Sequence, residues 1–179
     1  MKPDRQRSPR APLDREKLER LALHYAGRYG TTRAKLAGYL RRKVKERGWD
    51  EAATPPPIDA IVARFAELGF VNDKAFAEAR SAALQRRGYG ERRIADALRA
   101  SGVDEEDGAA ARAQAADGAW AAALRFAERR RIGPFASEPL DRAARERAFA
   151  AMIRAGHPAA TVRRLLDAAP GEIPNPDSL

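Results

Sequence analysis

The stretch that decides the fold is residues 86–94, RRGYGERRI, because its layout occurs twice more in the chain. The other two windows are residues 28–36, RYGTTRAKL, and residues 154–162, RAGHPAATV. Each window begins with Arg, has Gly two residues later, and has an aliphatic residue six residues after that glycine. Four residues further along lie Leu40, Leu98 and Leu166. The pattern is typical of a helix end, a glycine able to adopt φ > 0, and a new helix that buries its apolar face.

Signals for the starts and ends of helices are frequent between these windows. Apolar residues recur at helical spacing, and glycines follow the last of them. Residues suited to N-cap positions precede the helices: Asp14, Thr31 or Thr32, Asn72 or Asp73, Asp104 and Asp141. The three prolines at 55–57 are expected to lie in the first turn of the third helix, where proline is tolerated.

The predicted fold is all-α, with three tandem three-helix repeats in an elongated, curved array. The repeats are expected to span residues 13–72, 73–117 and 118–169. Residues 1–12 are expected to form a disordered basic tail, and residues 170–179 a second disordered tail.

The composition excludes several classes of protein. Hydrophobic residues make up 44% of the 179 residues, but 40 residues are alanine, which favours thin helical layers. Val, Ile and Thr together number 15, which leaves little from which to build a sheet. The absence of cysteine excludes disulfides, thiolate zinc sites, iron–sulfur clusters and cysteine nucleophiles. No apolar run reaches the roughly 18 residues of a membrane span, and none follows the basic amino terminus, so a soluble protein of a reducing compartment is expected.

The net charge of +9 is carried by the first quarter of the chain. Residues 1–47 contain 15 Lys and Arg against 5 Asp and Glu, whereas residues 48–179 contain 19 against 20. The densest run of cations contains Arg41, Arg42, Lys43 and Lys45. Clustered cations attract phosphate backbones or acidic protein faces. Long Arg and Lys stems also cover an alanine-rich helix and keep it soluble, which is the alternative interpretation.

A second cationic focus surrounds Tyr89, which lies between two glycines. Its neighbours in the sequence are Arg86, Arg87, Arg92 and Arg93. An exposed aromatic ring among arginines can stack on a base or bind in an acidic groove. The same ring can equally fill its own helix junction, and the sequence leaves both interpretations open.

The sequence contains no recognisable catalytic or cofactor motif. Walker-type loops, GxGxxG, HExxH and GxSxG are absent, so no catalytic residue, cofactor or metal is predicted. His24 and His157 are interpreted as surface or capping histidines. The acidic run at 104–107 is interpreted as the first turn of a helix, which the helix dipole favours.

Two segments of the central unit resemble a known family. Residues 68–77, LGFVNDKAFA, resemble the motif LGYLDDxxFA, and residues 86–103, RRGYGERRIADALRASGV, resemble RxGYGPxxIxxELxxKGI. Both motifs are typical of the central repeat of the RecX family of recombination regulators. The outer units match the outer repeats of that family more weakly, so the resemblance spans about residues 13–169.

The resemblance implies a bacterial cytoplasmic protein, without catalysis of its own, that binds RecA. RecX-like proteins lie in the helical groove of the RecA filament on single-stranded DNA and suppress its ATPase and strand-exchange activities. The residues carried over from the motif, or adjacent to it, are Arg86, Arg87, Tyr89, Arg92 and Arg93. The expected partners are therefore the RecA filament and DNA, single- or double-stranded, with no membrane, and the protein is expected to be a monomer.

The chain departs from the family pattern at a few positions. Asn72 replaces the first of two acidic residues, Glu91 stands where proline is usual, and Lys35 stands where the first repeat usually has Glu. The link at 52–57, AATPPP, is also unusual. None of these changes removes the fold, but Lys35 adds to the basic first unit.

Two other functions are weighed against RecA regulation. A basic helical module that binds DNA through phosphates is the main rival, and it predicts an affinity that falls steeply with salt. A third hypothesis is an enzyme that uses the carboxylates of Glu67, Asp73 and Glu78. Isolated acidic residues at helix ends give no reason to favour it.

Overall fold

The computed structural model describes residues 11–50 and 54–176, and within these ranges the chain is all-helical. The nine α-helices of the described residues are α1 Arg15–Arg28, α2 Arg33–Arg47, α3 Ile58–Glu67, α4 Asp73–Arg86, α5 Glu91–Arg99, α6 Glu105–Asp117, α7 Ala119–Arg130, α8 Arg142–Arg154 and α9 Ala159–Asp167. A 3-10 turn, Gly133–Phe135, lies between α7 and α8. The predicted all-α fold is confirmed. The chain divides into two compact units, Met1–Phe76 and Ala77–Leu179.

The first unit is built from α1, α2, α3 and the first residues of α4. Asp14 and Thr32 cap α1 and α2 as predicted, since each side chain accepts a hydrogen bond from the backbone N–H three residues later. The apolar faces of these helices bury Leu18, Leu36 and Leu40 completely. Burying one such leucine contributes about 1.5–3 kcal/mol. This core therefore fixes which sides of α1 and α2 face solvent.

Hydrogen bonds join the segment that precedes α1 to the end of α2. The backbone N–H of Leu13 donates to the carbonyl of Gly48 at 3.0 Å, and the N–H of Asp50 donates to the carbonyl of Leu13 at 2.9 Å. The Arg47 side chain also donates to the carbonyl of Ala11. Residues 1–10 of the predicted basic tail lie outside the described residues.

The three prolines precede α3 instead of forming its first turn, so the predicted start of this helix is wrong. The helix begins at Ile58, and Pro57 is its N-cap residue, with φ −80° and ψ 50°. A residue that precedes a proline is driven away from the helical region by the proline ring, so consecutive prolines keep the chain extended. Of the unusual link at 52–57, residues 52 and 53 lie outside the described residues.

The second unit contains the rest of α4 and helices α5 to α9. Asp104 and Asp141 cap α6 and α8 as predicted. The acidic run at 104–107 forms this cap and the first turn of α6, also as predicted. The core combines buried alanines with a few large side chains, among them Phe126, Met152 and Leu165. Because alanine adds little bulk, helices that bury alanines can pack closely together.

The last described residues contact the body of the second unit. The N–H of Gly171 donates to the carbonyl of Pro134 at 2.8 Å, and the Arg164 side chain donates to the carbonyl of Pro176. The disorder expected for residues 170–179 and the repeat boundaries stay predictions. The second boundary falls at Gly118, which separates α6 from α7.

Candidate partner-binding surfaces

One side of α2 is an exposed cationic face, made of Arg41, Arg42 and Lys45. Arg41 and Lys45 are four residues apart and Arg42 and Lys45 are three apart, so the three side chains share one side of the helix. The buried Leu40 lies on another side of α2 and anchors it to the core. Three of the four predicted cations of this helix are thus brought together.

Two of these cations are paired with carboxylates at the surface. Nη2 of Arg41 lies 2.9 Å from Oδ1 of Asp59 in α3. Nε of Arg42 lies 3.7 Å from Oε1 of Glu46. Every side chain in the two pairs is at least 46% exposed. Exposed ion pairs contribute about 0–1 kcal/mol, so a polyanion that offers stronger contacts can take the place of these carboxylates.

Lys43, the fourth predicted cation, projects away from this face. Its side chain is 25% exposed, and its Nζ lies 2.6 Å from a carboxylate oxygen of Glu46. The same Nζ lies 5.7 Å from the centroid of the Tyr39 ring. Lys43 therefore belongs to the surroundings of Tyr39.

Tyr89, in the second unit, is half-buried and packs against the hydrophobic core of that unit. The guanidinium carbon of Arg87 lies 5.3 Å from the centroid of its ring. The sequence left two interpretations of Tyr89 open, and the packing supports the one in which the ring fills its own helix junction. The contact with Arg87 leaves the tyrosine within a cationic neighbourhood.

The remaining predicted cations of the second unit, Arg86, Arg92 and Arg93, are exposed. Arg86 is the last residue of α4, and the other two lie in the first turn of α5. Arg92 lines an open groove of about 590 Å³, together with Arg112 and the buried His157. The three cations are therefore carried by both helices of one corner, and Arg92 faces a cavity.

The glycines of the second and third sequence windows pack directly against each other. A Cβ atom added to Gly90 would lie 2.3 Å from the carbonyl oxygen of Gly156, and one added to Gly156 would lie 2.4 Å from the backbone nitrogen of Arg93. Gly88 and Gly156 both have positive φ, 70° and 94°, as the repeat predicts. The third equivalent glycine, Gly30, lacks a positive φ and has open space around it, so the predicted role of glycine does not extend to the first repeat.

His157 is buried, with 4% of its surface exposed, so its interpretation as a surface histidine is wrong. The N-cap position of α9 is held by Pro158. The imidazole instead bonds through Nε2 to the carbonyl of Gly88 at 3.1 Å. Burial lowers the pKa of His157 below its usual value, and the hydrogen bond to Gly88 opposes that effect without cancelling it. His24, by contrast, is exposed as predicted.

Asp73 has a structural role that the sequence did not reveal. Its side chain is 3% exposed and accepts a hydrogen bond from the backbone N–H of Arg33 at 2.9 Å. Its other carboxylate oxygen lies 3.4 Å from Nε of Arg33. The carboxylate at the start of α4 thereby binds the first residue of α2. Glu67 and Glu78, which the carboxylate-enzyme reading groups with it, are both exposed.

A cationic cavity in the second unit was also not predicted from the sequence. Arg130, Arg131 and Arg147 line a cavity of about 240 Å³ whose other walls are apolar. Arg131 is the one non-glycine residue in the described part of the chain with a positive φ, 53°. The run Arg129-Arg130-Arg131 was visible in the sequence, but the near-zero net charge of residues 48–179 hid it.

The described residues contain neither a metal-binding cluster nor a helix that could span a membrane. No group of three or more His, Asp or Glu side chains there could hold a metal ion. None of the helices in residues 11–50 and 54–176 combines the length and the hydropathy that crossing a membrane requires.

The chain is similar in sequence to several known proteins. The family described as "RecX, second three-helix domain" matches residues 72–111. Regulatory protein RecX of Myxococcus xanthus is 33% identical over 175 residues, which cover 93% of this chain and 94% of that protein. Regulatory protein RecX of Deinococcus radiodurans is 37% identical over 95 residues, which cover 53% of this chain and 43% of that protein.

The fold is similar to solved structures as well. The crystal structure of RecX from Lactobacillus salivarius matches with a TM-score of 0.59 at 20% identity and covers 85% of this chain and 96% of that one. A second crystal structure, of regulatory protein RecX, also gives 0.59, at 19% identity, over 86% of this chain and 71% of the other. Since the Myxococcus relative matches nearly end to end at 33% identity, the chain belongs to the RecX family of regulatory proteins.

Proposed function

We propose that this protein inhibits a RecA recombinase by binding the RecA filament on single-stranded DNA and suppressing its ATP hydrolysis and strand exchange. The observation that carries the proposal is the match of residues 72–111 to the second three-helix domain of RecX. That segment contains the first turn of α5 with the exposed Arg92 and Arg93, and Arg86 and Arg87 of the same corner. The regulatory role of the family thus coincides with a cationic surface able to meet an acidic partner.

The mechanism we propose is multivalent. The cationic face of α2 and the corner between α4 and α5 each offer a few exposed guanidinium or ammonium groups. Any one such contact is modest, but contacts on one chain raise each other's effective concentration when the partner is a repeating polymer. A filament presents equivalent surfaces at regular intervals, so a small helical protein can hold several of its subunits at once. Inhibition then needs binding alone and no chemistry on this chain.

This function would place the protein in the bacterial cytoplasm, in the control of homologous recombination, DNA repair and the SOS response. It would act as a monomer, without a cofactor. Its effect on ATP hydrolysis would come from contacts that halt growth of the filament or promote its disassembly.

The deciding experiment measures DNA-dependent ATP hydrolysis by RecA with this protein added below the RecA concentration. The proposal expects hydrolysis to fall, and the protein to sediment with filaments. Unchanged hydrolysis together with no co-sedimentation would overturn it. The same measurement without DNA is the control, because the proposed target is the filament on single-stranded DNA.

A second candidate function rests on the charge of the first unit. Residues 1–47 carry an excess of ten positive charges, and α2 exposes Arg41, Arg42 and Lys45 on one side. A module that binds DNA through its phosphates would lose affinity with salt at a slope of about −0.9 per neutralised phosphate on duplex DNA. Weak DNA binding with a shallow slope, beside tight filament binding, would rule out this alternative.

A further inference from the structure

Three tyrosines of the first unit form a connected ring cluster, which we call the tyrosine cluster: Tyr25, Tyr29 and Tyr39. The rings of Tyr25 and Tyr39 are stacked, with centroids 4.3 Å apart and an interplanar angle of 12°. Tyr29 lies 5.6 Å from Tyr25 at an angle of 53°. The cluster therefore extends from α2 across α1 to the loop that follows α1.

Tyr29 is the exposed end of this cluster. Tyr25 and Tyr39 pack partly against the core of the first unit, whereas 52% of the surface of Tyr29 remains open to solvent. The position of Tyr29 is fixed all the same, because it is the C-cap residue of α1 and its N–H donates to the carbonyl of Tyr25 at 3.1 Å. An aromatic ring that is held in place and half exposed can take a further flat group without any rearrangement of the fold.

Cations surround the tyrosine cluster. The guanidinium carbon of Arg28 lies 5.8 Å from the centroid of Tyr29. On the other side, the guanidinium of Arg42 and the ammonium of Lys43 lie 5.6 and 5.7 Å from the centroid of Tyr39. Glu46 is the carboxylate of this neighbourhood, and it pairs with both Arg42 and Lys43. The excess of positive charge beside the rings remains.

We propose that the tyrosine cluster is a base-stacking site for single-stranded nucleic acid. An unpaired base would stack on Tyr29, and the phosphates on either side of it would approach Arg28 and Arg42. Proteins that bind single strands without sequence preference combine these two elements, aromatic rings for the bases and cations for the backbone. The site would act on nucleic acid directly, so it does not rest on the proposed inhibition of RecA.

Stacking separates this proposal from binding through phosphates alone. A duplex offers its phosphates but keeps its bases stacked inside, so a duplex cannot use Tyr29. Alanine substitutions in known sites attribute about 1–3 kcal/mol to one base–aromatic stack, which corresponds to a five- to 150-fold change in affinity. Removing the Tyr29 ring leaves every charge in place, so a pure phosphate-binding surface would be unaffected by it.

The test is the affinity of the full chain for fluorescent oligonucleotides, without RecA, measured by anisotropy. Oligo-dU and oligo-U, which differ only in their sugar, are the single-stranded probes, and a duplex of the same length is the third. We expect Tyr29→Leu to bind the single strands about five- to 150-fold more weakly and to bind the duplex as before. Tyr29→Phe, which keeps the ring, should behave like the unchanged protein. A loss restricted to one of the two single strands would identify that strand's sugar as the natural one.

Phe70 provides a matched control. It is another exposed aromatic ring of the first unit, with 49% of its surface open. The pocket that it lines contains two carboxylates and two guanidinium groups, so this pocket has no excess of positive charge: Glu16, Glu19, Arg20 and Arg64. Phe70→Leu should leave the affinity for every probe unchanged. Equal affinities of Tyr29→Leu and the unchanged protein for single strands would overturn the proposal, and so would an equal loss of affinity for the duplex in this variant. Inhibition of RecA by Tyr29→Leu, measured separately, tells a failure of this site from a failure of the proposed function.

Photo-crosslinking supplies a second readout that does not depend on affinity. An oligonucleotide containing 5-iodouracil should form an adduct with the peptide that contains Tyr29 when the base stacks on that ring. Adducts confined to peptides outside residues 25–39 would contradict the proposal.

Discussion

The Nε2 atom of His157 lies 3.1 Å from the carbonyl oxygen of Gly88, which joins the windows of the second and third repeats. A carbonyl only accepts, so Nε2 carries the hydrogen and Nδ1 is the unprotonated nitrogen. Nδ1 is buried and has no hydrogen-bond partner among the described residues. A proton added there would be buried without an acceptor, which agrees with the lowered pKa of this histidine.

The first prediction concerns the pH dependence of stability. Because burial lowers the pKa of His157 in the folded protein, the unfolded chain binds more protons once the pH falls below about 6.5. The contribution of this histidine to the free energy of unfolding should therefore be complete above that pH. It should be lost progressively as the pH falls through the folded-state pKa. Urea unfolding at several pH values between 8 and 5.5 measures this dependence.

Two substitutions control that measurement. His157→Gln keeps a side-chain donor for Gly88 but does not titrate, so the slope of stability with pH should flatten in this range. His24→Gln removes the other, exposed histidine and should leave the slope as it is in the unchanged protein. A slope that persists in His157→Gln would show that another group causes it.

The second prediction concerns the close contact between repeat windows. Gly90 has φ −82°, which any residue can adopt, but its added Cβ would lie 2.3 Å from the carbonyl oxygen of Gly156. Gly90→Ala should therefore force the backbones of the two corners apart and destabilise the protein by about 1–3 kcal/mol. Chemical denaturation measures the change as a lower midpoint.

Gly30→Ala is the control, because it adds the same methyl group to a glycine of the first window. Gly30 has no atom within 4 Å of the added Cβ and lacks a positive φ. We expect no loss of stability, and a gain of up to about 1 kcal/mol from the reduced freedom of the unfolded chain. Equal destabilisation by both substitutions would mean that the packing of the corners has no special role.

Local signals in the sequence predicted most of the fold. The caps at Asp14, Thr32, Asp104 and Asp141 were predicted correctly, because a cap joins a side chain to a backbone N–H only three residues away. Arg41 and Lys45 were grouped from the sequence only as a run of cations, although their spacing on a helix is enough to place them on one face. The start of α3 was misjudged, since three consecutive prolines restrict the residues before them as well as themselves.

Contacts between distant segments could not be predicted from the sequence. The burial of His157 depends on Gly88, 69 residues earlier, and the role of Asp73 depends on Arg33, 40 residues earlier. No periodicity or cap signal encodes either pair. The cavity of Arg130 and Arg147 was missed for the same reason, because α7 and α8 had to be packed before their cations could be seen to converge.

The third prediction follows from the buried carboxylate of Asp73. Asp73→Ala removes the acceptor of the Arg33 N–H at the start of α2, inside the first unit. Losing a hydrogen bond to a charged, buried group costs about 1.5–3 kcal/mol, and we expect thermal or urea unfolding to report a loss of that size. Asp59→Ala is the control, since its carboxylate is 87% exposed and pairs with Arg41 at the surface. Its effect should stay below about 1 kcal/mol. Similar losses from both would contradict the role given to Asp73.

The fourth prediction tests the central repeat as a binding surface. Arg86→Glu combined with Arg93→Glu should raise the concentration needed to halve RecA's ATP hydrolysis by about tenfold or more, since two attractive contacts become repulsive. Both residues are exposed, so the circular dichroism spectrum and the unfolding midpoint should be unchanged.

The control for this double variant must change the charge equally at another surface. Arg15→Glu combined with Arg20→Glu does so on α1, where both arginines are more than 60% exposed and pair with Glu19 and Glu16. If inhibition depended on net charge alone, the two double variants would weaken it alike. If it depends on contacts made by the corner of α4 and α5, only the first will. Retained inhibition by Arg86→Glu with Arg93→Glu would remove the central repeat from the interface, and the multivalent mechanism would have to rest on the cationic face of α2.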